Sequence, residues 1–180
     1  MKKIITILLI CVYNLTFAQT TINPDTICAG STLENHFVTN TINSTYNWTV
    51  DPNIGLITSG QGTSSITSSW GNIPGLYPNA ITVTESSVDS CIGNPVTLDV
   101  YILQLTFASF GAICENGLPQ NLSGSPIGGT YSGVGVVNNT FDPLVAGVGT
   151  HLVTYSLASC NISWSITVSP SPITGPIQHY

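Results

Sequence analysis

The chain has 180 residues, with 2 basic side chains against 8 acidic ones and a formal charge of −6. Lys2 and Lys3 are the two basic residues, so everything after them is free of Lys and Arg. Nucleic acids and anionic membrane surfaces are held by clustered cationic side chains, and this composition excludes both as partners.

Residues 1–18 read as an export signal. Lys2 and Lys3 form the charged region, Ile4 to Val12 the apolar core, and Thr16-Phe17-Ala18 a small-x-small cleavage site before Gln19. The apolar run falls well short of the ~20 residues a membrane span requires. No membrane-spanning segment is therefore expected after cleavage. Cys11 leaves with the signal, because Ile10 stands where a lipoprotein signal carries Gly or Ala. The mature chain, Gln19 to Tyr180, has a formal charge of −8 once the two lysines are gone. Its length suits two small domains of roughly 80 residues each.

From there the chain reads as strands. Thr20–Ile27 comes first, kinked by Pro24, then Asn35–Val38. Thr45–Val50 places Tyr46, Trp48 and Val50 on one face, and Asp51-Pro52-Asn53 makes a turn. Ile54–Thr58, Ser64–Trp70 and Ala80–Ser86 follow, the last two separated by a loop holding Pro74, Gly75 and Pro78. Val96, Leu98, Val100 and Ile102 share one face of the strand that ends the first domain. The boundary falls near Leu103–Leu105, with no Pro/Ser-rich linker. The second domain carries strands at Leu105–Ser109, Gln120–Ser123, Gly129–Ser132, Val136–Phe141, Gly149–Ala158 and Asn161–Val168. In the last of these Ile162, Trp164, Ile166 and Val168 alternate with Asn161, Ser163, Ser165 and Thr167. Period-two alternation marks half-buried strands, and their apolar faces need a second sheet to cover them. No helical period occurs outside the signal. The expected fold class is all-β, two tandem β-sandwich domains at 19–103 and 104–169, followed by a Pro-rich tail at 170–180. The two domains do not read as repeats of one another.

Gly128-Gly129-Thr130-Tyr131-Ser132-Gly133, Gly135-Val136, Phe141, Pro143, Ala146-Gly147, Gly149-Thr150 and Tyr155 form a pattern. It resembles the immunoglobulin-like repeats of Bacteroidota cell-surface and gliding-motility-associated proteins. The upstream half carries Cys28 and Gly30, Tyr46 and Trp48, Ser59 to Trp70, Ile81 to Glu85, and Cys91 and Gly93. It resembles the PKD-like domains found beside such repeats. The resemblance implies immunoglobulin-like/PKD-like sandwiches that serve as surface spacers, adhesins or partner-binding modules, and no catalysis. It gives Trp48 the part of the buried Trp on a central strand. Substrates of the secretion route typical of these proteins end in a dedicated sorting domain, and no such pattern follows Val168.

Four cysteines remain in the mature chain: Cys28, Cys91, Cys114 and Cys160. An exported chain meets an oxidising compartment, so disulfides are expected. Three connectivities are possible. Cys28–Cys91 and Cys114–Cys160 are the expected pairs, because each falls within one domain. No C-x-x-C occurs and the His residues are not paired with the cysteines, so no metal or other cofactor is expected.

Asp25, Glu34, Asp51, Glu85, Asp89, Asp99, Glu115 and Asp142 show no spacing of facing catalytic carboxylates. Asp51-Pro52-Asn53 and Asp89-Ser90-Cys91 supply too few oxygens for calcium. His36, His151 and His179 are scattered, and no G-x-S-x-G nucleophile elbow occurs. No enzyme is expected. Two binding surfaces are candidates. The tail, extended by its prolines, offers Ile173, Ile177 and Tyr180 as anchors for a partner protein. Trp70, Tyr77 and Tyr101 offer an aromatic platform for a glycan. Asp25-Thr26-Ile27 matches the D-[ST]-aliphatic pattern for O-glycosylation in Bacteroidota exported proteins, on Thr26. The expected function is protein–protein contact at the cell envelope, as an accessory of a surface adhesin or gliding machinery. The expected location is the periplasm, the outer membrane or the cell surface. The alternative is a carbohydrate-binding module.

Overall fold

Alternation sets the strands of the first sandwich. In Thr45–Val50 the even positions Tyr46 and Trp48 are buried and Asn47 and Thr49 are exposed. In Ser65–Trp70, Ile66, Ser68 and Trp70 all turn inward. The structure is a computed structural model and describes residues 23–179. The export signal, its cleavage site, Thr20–Ile22 and Tyr180 lie outside the described residues.

The chain divides into two compact units between Ile102 and Leu103, one residue before the expected boundary. The first unit has β1 (Asp25–Cys28), β2 (Glu34–Phe37), β3 (Thr45–Val50), β4 (Gly55–Ser59), β5 (Ser65–Trp70), β6 (Gly75–Ser86) and β7 (Val96–Leu103). They form a four-stranded sheet in the order β1-β7-β6-β3 and a three-stranded sheet in the order β2-β5-β4. That is the seven-strand immunoglobulin wiring, with the first strand laid on the last strand's sheet. Ile27, Tyr46, Trp48, Ile66, Trp70, Ile81, Val100 and Ile102 are buried in its core. Trp48 sits at the centre of β3, and its indole N–H donates to the Thr63 carbonyl at 2.8 Å.

β6 begins five residues earlier than the alternation suggests and runs straight through Pro78. A register irregularity between Tyr77 and Ile81 absorbs the proline. Asp99 holds that irregularity by accepting the Asn79 N–H at 2.8 Å, with Asn79 at φ 52°. β3 ends its sheet, and the Gly60–Thr63 segment closes its outer edge. Tyr46 and Gly62 exchange two backbone bonds, and the Gln61 amide accepts from the Trp48 N–H and donates to its carbonyl.

The second unit has β8 (Thr106–Phe107), β9 (Ile113–Cys114), β10 (Gln120–Asn121), β11 (Gly124–Ser125), β12 (Thr130–Gly133), β13 (Val136–Val137), β14 (Thr140–Phe141), α1 (Pro143–Ala146), β15 (Gly149–Leu157) and β16 (Cys160–Ser169). Its four-stranded sheet runs β12-β15-β16-β9, with β9 parallel to β16. A three-stranded sheet runs β10-β14-β13, and β11 pairs β8. This is the wiring of the first unit repeated. Both units are immunoglobulin-like β-sandwiches.

Val136–Phe141, expected as one strand, is a hairpin. Asn138 and Asn139 at φ 47° and 64° make its two-residue turn, the positive-φ pair such a turn needs. α1 is one helical turn, too short to leave a sequence period. Asp142 caps it, its carboxylate accepting the Leu144 N–H at 3.0 Å. Phe141, Val153, Ile166 and Val168 form the core. Trp164, on the apolar face of β16, is half-buried. It stacks on Phe107 with 18° between the rings, and its indole nitrogen has no hydrogen-bond partner.

Candidate functional surface

The three rings of the expected aromatic platform do not share a surface. Trp70 is 5% exposed. It points into the first core and donates its indole N–H to Ser68 Oγ at 2.9 Å. Tyr77 stands opposite Val100, and Tyr101 stands opposite Leu76. Successive residues of a strand face opposite ways, so Tyr77 lies on the core face with fully buried Val100, and Tyr101 lies on the outer face. Tyr77 hydroxyl donates to the Ile73 carbonyl at 3.0 Å. Its place at the start of β6, bonding back a few residues upstream, is that of the tyrosine corner of immunoglobulin folds. Two of the three rings are therefore structural.

The expected disulfides are also corrected. Cys28 and Cys160 are disulfide-bonded, but Cys114 is an exposed free thiol. Topology forbids both expected pairs. Cys114 lies opposite Ser169 at the far end of β16, while Cys160 opens that strand. Nine residues at ~3.3 Å each put them about 30 Å apart, and a disulfide needs Cα atoms within about 7 Å. In the first unit Gly30 N–H bonds the Gly71 carbonyl and Trp70 N–H the Ser31 carbonyl. Cys28 thus lies near the beginning of β6. Cys91 follows the end of β6, where its N–H bonds Ser87 Oγ at 3.2 Å. The twelve residues of β6 separate them by on the order of 30 Å.

Ile173 and Ile177 of the tail are fully exposed, at 97% and 101%; Tyr180 lies outside the described residues. Thr26 is half-buried within β1, and Ile27 beside it points into the core.

The second unit presents a surface that residue-by-residue reading did not single out. On the outer face of its four-stranded sheet, Thr150 stands opposite Thr167, Leu152 opposite Ser165, Thr154 opposite Ser163 and Ser156 opposite Asn161. Thr130 and Ser132 extend the rows onto β12. Thr154 and Ser163 hydroxyls hydrogen-bond at 2.7 Å. None of the side chains in these rows is charged. The unit's only charged side chains are Glu115 and Asp142, and Asp142 is committed to capping α1. The signal was available in the sequence as the polar half of the Asn161–Val168 alternation. Which strands lie beside it was not.

Among the described residues one histidine is buried. His36, on β2, lies 3.7 Å from the Asp25 carboxylate and edge-on to the Trp70 ring. Burial lowers its pKa from the usual 6.5, against an opposing pull from the Asp25 and Glu34 carboxylates. Among the described residues, no three His, Cys, Asp or Glu side chains gather in a way that could hold a metal. No helix among them is long and apolar enough to cross a membrane.

No protein-family model matches the chain, and no curated protein matches it. Solved structures do. The titin domains Z1Z2 in complex with telethonin match at 9% identity and a TM-score of 0.29, over 83% of this chain and 93% of theirs. A titin A168–A169 fragment matches at 11% identity and 0.28, over 83% and 95%. Extracellular domains 3–5 of Drosophila OTK match at 12% and 0.26, over 87% and 67%.

Proposed function

We propose that this is a non-enzymatic exported protein of the cell envelope that works by protein–protein contact, as an accessory of a surface adhesin or gliding machinery. The uncharged rows on the outer face of β12, β15 and β16 carry this reading. Charged side chains are depleted at the centres of protein interfaces, because stripping water from an ion costs far more than stripping it from a hydroxyl that can re-bond. A face of Thr, Ser and Asn, with Leu152 among them, is cheap to desolvate and rich in donors and acceptors. The tail, with exposed Ile173 and Ile177, adds an extended apolar segment of the kind that docks in grooves or along sheet edges.

The test is recovery of the mature protein with envelope fractions, followed by cross-linking and mapping of the contact residues. Thr154→Glu and Ser165→Lys place charges on the outer face without touching the core. They should abolish association and leave thermal unfolding unchanged. Association that survives both substitutions and is lost on deletion of residues 170–180 would move the contact to the tail. Binding on a glycan array with no envelope partner would favour a carbohydrate-binding module instead.

A further inference from the structure

The two sandwiches treat the same sheet edge differently. β3 and β12 are counterparts, each last in its four-stranded sheet, and they read alike: Thr45-Tyr46-Asn47-Trp48 against Thr130-Tyr131-Ser132-Gly133. On β3 the backbone groups of Tyr46 and Trp48 face outward, and all of them are bonded. Gly62 N–H donates to the Tyr46 carbonyl at 3.1 Å, and the Gly62 carbonyl accepts the Tyr46 N–H at 3.3 Å. The Gln61 amide accepts the Trp48 N–H at 3.0 Å and donates to its carbonyl at 2.8 Å. That seal comes from the connection between β4 and β5. In the second sandwich the connection between β13 and β14 is the two-residue turn Asn138-Asn139, too short to lie along the edge of β12.

Which groups β12 turns outward follows from the β15–β16 hairpin. Leu157 pairs with Cys160 across a two-residue turn, and such a hairpin closes on a pair that exchanges its backbone bonds. Bonded pairs alternate along an antiparallel ladder, so odd-numbered residues of β15 bond β16 and even-numbered ones bond β12. The same parity sends the Ser169 carbonyl away from β15, where Glu115 N–H bonds it at 2.9 Å. Thr130 and Ser132, opposite Ser156 and Thr154, are therefore spent on β15. Tyr131 and Gly133 point their N–H and carbonyl groups outward, and among the described residues no hydrogen bond reaches these backbone groups. β12 is exposed at Thr130, Ser132 and Gly133 and carries no charge and no proline, the usual guards of an open edge. We propose that β12 pairs antiparallel, edge to edge, with β12 of a second copy about a two-fold axis at Ser132. Tyr131 of each copy stands opposite Gly133 of the other, and each such pair exchanges two backbone hydrogen bonds, so every outward group is satisfied. A ring opposite a residue without a side chain lets the two backbones approach. The contact is isologous and closes at two copies. It goes beyond the envelope contact, since the chain is its own partner, and it carries the uncharged outer rows from one copy to the next through Ser132.

The mature full-length protein is taken through a concentration series by analytical ultracentrifugation, with amide hydrogen exchange read at Tyr131 and Gly133. A dimer is expected to form as concentration rises, and exchange at the two amides should slow with it. Ser132→Glu and Ser132→Lys each set like charges face to face on the axis, outside the core. Each should weaken dimerisation about tenfold or more and leave thermal unfolding unchanged. Mixing the two variants should restore the dimer, which a folding defect would not allow. A protein that stays monomeric throughout, a dimer that survives both substitutions, a mixture that stays monomeric, or amides that slow only when envelope extract is added would overturn the proposal.

Discussion

The first sandwich packs buried Tyr46, Trp48, Ile66, Trp70 and Ile81 between strands of four to twelve residues. The second, wired in the same order, closes its smaller sheet with two-residue strands and relies on Phe141, Val153, Ile166 and Val168. Strand wiring therefore does not dictate how a sandwich is filled. The first is held by ladder and large side chains, and it seals its free β3 edge with Gln61 and Gly62. The second concentrates on one tyrosine. The Tyr155 ring lies against Gly124, where an added Cβ would come within 2.6 Å of it. Its hydroxyl accepts the Gly129 N–H and donates to the Pro126 carbonyl. Glycine at these positions leaves room for a ring where another side chain would collide, so the Gly-rich run is a packing device as well as a set of turns.

The largest expected effect lies in the first core. Trp48→Ala should cost ~3–5 kcal/mol in urea unfolding, as large core truncations do. An effect below that range would mean that β3 is less central than its burial indicates. Next come the tyrosines. Tyr155→Phe strands two backbone groups and should cost about 1–3 kcal/mol, whereas Tyr77→Phe loses a single bond at an exposed corner and should cost about 0.5–1.5 kcal/mol. Equal costs would erase the distinction between the two sandwiches. Trp164→Phe should be nearly neutral, within ~1 kcal/mol, because it also removes an indole N–H that has no partner. A large loss there would point to a bond that Trp164 makes in solution.

The smallest effect is set by pH. Folding lowers the His36 pKa below 6.5, so the unfolded chain takes up that proton first as the pH falls. His36 thus leaves stability whole above about pH 6.5. Stability declines as the pH drops below 6.5, and the decline ends once folded His36 is itself protonated. Stability measured at pH 7.5 and 5.5 should differ less in His36→Phe than in the parent. An identical difference in both proteins would assign the slope to other groups.

Strand positions were legible because alternation is a local property: each side chain's face follows from its neighbours two residues away. That is why Thr45–Val50 and the β15–β16 hairpin stand where their patterns place them. Pro78 inside β6 was not legible, since proline argues against a strand unless an irregularity elsewhere absorbs it. The one-turn helix after Asp142 was equally hidden, being shorter than any period.

The sequence alone determined that the chain is all-β, nearly free of cationic side chains after Lys3 and composed of two sandwiches, with Trp48 at the centre of the first. Tertiary structure decided which residues meet. Cys114 and Cys160 share a domain, yet β9 runs parallel to β16 and places them at opposite ends of it. Tyr77 and Tyr101 stand on neighbouring strands of one sheet, yet pairing turns Tyr77 to the core face and Tyr101 away from it, and Trp70 is buried on the other sheet. The direction and register of paired strands are set by hydrogen bonds between segments far apart in the chain, and no local pattern records them.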